Sequence, residues 1–171
     1  ETAVTGGNLT LAEPAGIAQG DLMVCCIAYR SNAAFTVPGD WTLVATQQSS
    51  GDIDATDGIA SGVMMWAVRG VSAPTLTFNR TGGNVAMGRI IAYSGGNATP
   101  GDTGSANTLA SISTTVTTGT FSTAEANELI VAMTSAGDED LVSAFDAATD
   151  PATASGATDT TTAPTAGTWI E

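Results

Sequence analysis

Cys25 and Cys26 lie side by side in the stretch GDLMVCCIAYR at residues 20–30, the densest apolar run of the chain. Adjacent cysteines could supply a reactive thiol, a metal ligand pair or a strained disulfide, or they could simply fill space in a buried strand. Neighbouring residues on a strand point to opposite faces, so the two sulfurs must diverge. A disulfide between them would close a small strained ring and break the strand. Zinc needs more soft ligands than two, and the chain has no further cysteine and no histidine. A reactive thiolate needs a cation close by, and Arg30 is the only one local in sequence. Both cysteines are therefore expected to behave as small buried hydrophobes.

The acidic stretch containing Asp52, Asp54, Asp57 and Gly58 is the candidate for calcium. An EF-hand loop places its third acid two residues after the second, with glycine directly following and a glutamate further on. Here Asp57 comes three residues after Asp54 and no glutamate follows at the required distance. An exposed acidic loop between strands is the expectation, and the turn at Asp138, Glu139 and Asp140 reads the same way. Paired carboxylates could hydrolyse a glycoside, but with seventeen acids some pairs fall close together by chance. A catalytic pair works in an aromatic-lined cleft, whereas Tyr29, Trp41, Trp66, Tyr93 and Trp169 mostly sit in apolar strand patterns that suit a core. The absence of histidine removes Ser-His-Asp and Cys-His machinery. No catalytic residue, no cofactor site and no enzyme activity are expected, and no metal site beyond the calcium candidate. Glycosylation-type triplets begin at Asn8, Asn79 and Asn97, a number that a chain so rich in threonine reaches by chance.

The elements that would carry these residues follow from composition. The chain has 171 residues, 43% of them apolar, which suits one domain with a substantial core. Only 12% are charged, and much of the remainder is Thr, Ala, Ser and Gly. Threonine suits a pleated half-exposed face and glycine supplies positive φ at turns, so strands joined by tight turns are expected. Arg30, Arg69, Arg80 and Arg89 are the only basic side chains, lysine is absent, and the net charge is −13. Such a balance opposes binding to nucleic acid, which needs a basic footprint, and to anionic membrane. It favours solubility and mutual repulsion between crowded copies. No segment approaches the roughly 20 apolar residues that span a bilayer.

Apolar runs and alternation predict strands at 8–11, 22–29, 41–46, 63–69, 74–78, 85–93, 112–118 and 128–133, with turn residues between them. Residues 22–29 are too continuously apolar for an edge and read as a central strand covered on both sides. Residues 47–57 read as a polar loop, and 124–127 could form one helical turn. The expected fold is all-β: an antiparallel two-sheet sandwich, jelly-roll-like. The sandwich domain is expected over 1–146. The Ala/Thr/Gly-rich segment 147–171 then returns to the core through Trp169 and Ile170, or reaches a neighbouring subunit as an arm.

One succession of motifs is familiar: Pro14-Ala15-Gly16, Gly20-Asp21-Leu22-Met23-Val24, Pro38-Gly39-Asp40-Trp41-Thr42-Leu43-Val44, Met65-Trp66-Ala67-Val68, Pro74-Thr75-Leu76-Thr77-Phe78 and Ile90-Ile91-Ala92-Tyr93-Ser94-Gly95. This order, over about residues 8–135, resembles a loose group of β-sandwich proteins from tailed bacteriophages and prophages. The resemblance implies a virion structural role, as a capsid decoration, head-fibre or tail-fibre protein. It implies partners among copies of itself, as a homo-oligomer such as a trimer, and among the major capsid or other virion proteins. Related sandwiches on bacterial surfaces keep a carbohydrate-binding or adhesive module, extracellular or on the cell surface, as the alternative. The resemblance carries no functional residues with it.

Overall fold

The computed structural model describes residues 2–5, 8–29, 35–44, 48–49, 61–79, 85–96, 100, 131, 133–136 and 167–170. Within them the chain forms β1 (Thr2–Thr5), β2 (Leu9–Thr10), β3 (Leu22–Tyr29), β4 (Thr42–Leu43), β5 (Gln48–Ser49), β6 (Ser61–Val68), β7 (Thr77–Phe78), β8 (Val85–Tyr93), β9 (Met133–Ala136) and β10 (Gly167–Ile170). Among the described residues there is no helix, and every strand pairing is antiparallel. The protein is all-β over this part. The expected strand at 112–118 and helical turn at 124–127 lie outside the described residues, as does most of 147–171.

Three long strands form the frame. β3 lies between β6 and β8, with β1 on the far side of β8 and both β4 and β5 on the far side of β6. The central place of β3 follows from its sequence: a strand apolar at nearly every position must be covered on both faces. Seven of its eight residues, all but Leu22, are buried. The pleat divides them. Met23, Cys25, Ile27 and Tyr29 join one core with Val63, Met65 and Ala67 of β6 and Ala86 and Ile90 of β8. Val24 and Cys26 face the other way, among Leu22, Met64, Ile91, Tyr93 and Val131.

The first face is closed by the small β2–β7 sheet, whose Leu9 and Phe78 pair across the strands and pack into the core with Leu11, Phe35 and Trp41. Phe78 touches Trp41 edge-on at 5.8 Å and Phe35 at 6.2 Å, and Phe35 continues to Tyr29 at 5.9 Å. Such offset ring contacts add to the burial of apolar area. Over the second face the β9–β10 pair approaches β3, β6 and β8, and Val131 packs there against the second core.

Gly88, in the middle of β8, is what allows the first face to close. A Cβ there would stand 3.0 Å from Ile27 Cγ1, 3.1 Å from Leu11 Cδ1 and 3.1 Å from the Cys26 carbonyl oxygen. Leu11 thus sits directly over a position that must have no side chain, the close approach that an interior strand glycine often marks. Gly88→Val is expected to cost about 1–3 kcal/mol by overpacking, read as a lower urea midpoint with an unchanged m-value. An unshifted midpoint would mean that Leu11 moves aside freely.

The structure differs from the sequence expectation at the margins. Thr2–Thr5 and Gln48–Ser49 are strands where none was expected, and Met133–Ala136 forms a strand at the end of the expected 128–133 segment, most of which lies outside the described residues. β1 and β5 each pair at a sheet edge, where backbone hydrogen bonds suffice and no apolar pattern is required.

Candidate functional site

The adjacent cysteines are free, fully buried and on opposite faces of β3. Burial pushes the Cys26 thiol from its ordinary 9.0 up to about 12. Cys25 is pushed up further still, first by burial and then by Cys26 beside it. A nucleophile or metal ligand needs the opposite shift. In the native protein both thiols are expected to resist an Ellman-type reagent at mildly alkaline pH and to react when denatured. Prompt reaction of either in the folded state would overturn their assignment to the core.

The motifs that open and turn the strands hold the frame together. The turn 18–21 places Gly20 at φ 95°, the positive value that a type II turn demands at its third residue. The Asp21 N–H donates to the Ala18 carbonyl at 3.2 Å, and the Asp21 carboxylate accepts the Ala18 N–H at 2.7 Å. The turn docks on the end of β6 through Gly20 N–H to the Arg69 carbonyl, 2.8 Å, and Arg69 N–H to the Asp21 carbonyl, 2.9 Å. The Arg69 side chain donates from Nε to Glu13 at 2.8 Å and from Nη1 to the carbonyls of Gly70 and Val71.

Pro38-Gly39-Asp40-Trp41 is likewise a turn, closed by Trp41 N–H to the Pro38 carbonyl at 3.0 Å. Its two side chains then grip one residue 34 and 35 positions away. Asp40 Oδ2 accepts the Thr75 N–H at 2.5 Å, and Trp41 Nε1–H donates to the Thr75 carbonyl at 2.7 Å. Leu11 N–H bonds the Leu76 carbonyl on the inner side of that segment. Thr75, one residue earlier, therefore turns its backbone groups to the outer edge. Asp40 and Trp41 cap that edge. On the open face, Thr10 and Thr77 share a hydroxyl hydrogen bond at 3.0 Å.

Two places stand out in which the described side chains could meet another molecule. One is the second face of the main sheet, where cross-strand pairing sets Val68, Leu22 and Tyr93 in one row, Trp66, Val24 and Ile91 in the next, and Met64, Cys26 and Arg89 in a third. Trp66 and Tyr93 are half-buried here, unlike the buried Trp41 and Tyr29, and Tyr93 packs against the second core. Burial, with a smaller contribution from Cys26, raises the Tyr93 hydroxyl, and Arg89 draws it partly back. The other is a cavity of about 170 Å³ beside β8, between residues 11–14 and Gly88, Arg89 and Ile90.

Asp52, Asp54 and Asp57 lie outside the described residues, as do Asp138, Glu139 and Asp140. Trp169 falls within β10, and only its backbone pairing with Thr134 is described. Among the described residues no group of three acidic or thiol side chains comes together as a metal cluster, and no helix is long and apolar enough to cross a membrane. Compared with known proteins, the chain matches no family model, no curated protein and no solved structure.

Proposed function

We propose that this protein is a non-catalytic structural component of a virion, a capsid decoration or fibre protein that holds neighbouring subunits through sheet edges and loops. Its fold in this reading is a jelly-roll-like antiparallel sandwich. What supports the reading is the employment of the chemically capable side chains. Cys25 and Cys26 fill two cores, Asp21 and Asp40 hold turns, and Glu13 pairs with Arg69. Asp21 and Asp40 also belong to the succession of turns and strands that resembles phage sandwich proteins. A surface of Thr, Ser and Gly suits a lattice, because short side chains lose little entropy when ordered.

Mass spectrometry of purified particles from the source, counting this chain against the major shell protein, tests the proposal. Copies in a fixed ratio to the shell protein are expected for a decoration role, and a handful per particle for a fibre. Absence from the particles overturns it. The half-buried Trp66 and Tyr93 favour a second reading, a carbohydrate-binding or adhesive module, since partly exposed aromatic rings on a sheet face can stack on sugars. Glycan-array binding that is lost in Trp66→Ala would establish that reading.

A further inference from the structure

We draw no further inference here: the strongest candidate, the partly exposed apolar strip of Trp66 and Val68 on the second face of the main sheet, carries none because nothing in the structure shows what covers it.

Discussion

Replacing Trp41 by alanine is expected to destabilise the protein by about 3–5 kcal/mol, a large part of the stability of a domain this size. The indole is 5% exposed and belongs to the first core, where it meets Phe78 edge-on. Removing it leaves a cavity that the β2–β7 sheet cannot close, because that sheet is already seated on Gly88 through Leu11. The Nε1–H bond to Thr75 is the smaller contribution, since Thr75 is exposed and water can replace the lost donor. Trp41→Phe, which keeps most of the ring and removes the donor, is therefore expected to cost much less than Trp41→Ala. Asp40→Ala removes the other half of the grip on Thr75 at a cost of about 1 kcal/mol. Urea unfolding followed by far-UV circular dichroism separates the cases without relying on Trp41 as the probe. Equal losses for Trp41→Phe and Trp41→Ala would mean that the grip on Thr75, rather than ring packing, fixes this end of the fold.

That grip also shows what a sequence can and cannot disclose. Pro38-Gly39-Asp40 is legible as a turn from its residue types, but nothing local says that Asp40 and Trp41 both reach Thr75. β3 and β8 were legible to the residue, because long apolar runs bounded by turn residues leave few alternatives. β1 and β5 were not, because Thr2–Thr5 and Gln48–Ser49 are held by backbone bonds at an edge and carry no apolar period. The half-exposure of Trp66 was hidden for a related reason. Residues 63–68 are apolar throughout, so the alternation that places Val63, Met65 and Ala67 inward and Trp66 outward exists only in the folded sheet. The divergence of Cys25 and Cys26 was legible, since it follows from the two-residue period of any strand. The seating of Leu11 over β8 was not, because it depends on a residue distant in sequence. Gly88 was the available signal: a glycine inside an apolar strand announces a close approach before the neighbour is known.

The stability of the protein is expected to fall steeply as pH rises above about 9, and the cause lies in the same two cysteines. In the unfolded chain a thiol releases its proton near 9.0, whereas burial holds the Cys26 proton in the folded state until about 12. Cys25 is raised in the same direction by burial and by its neighbour. Between these values the unfolded state binds fewer protons than the folded one, so raising the pH favours unfolding. Below about 9 both states keep the protons, and this contribution to stability is fully present. Each thiol contributes a slope of roughly 1 kcal/mol per pH unit, so the pair removes roughly 3–4 kcal/mol by about pH 10.5. Tyr29 joins later, since burial raises it from 10.0 to about 12 against the opposing hydrogen bond to Ser61. The window is unusually free of other side chains, for the chain has no lysine and no histidine, and its four arginines stay charged. The slope can thus be assigned. In a Cys25→Ala/Cys26→Ala variant the overall stability falls somewhat through lost packing, but the decline beginning near pH 9 should disappear, leaving only a later one from tyrosine. Urea titrations at stepped pH check both. An unchanged slope in the double variant, or a wild type whose stability is level to pH 10.5, would show that the thiols ionise without cost. They would then be open to the chemistry that their burial in two separate cores argues against.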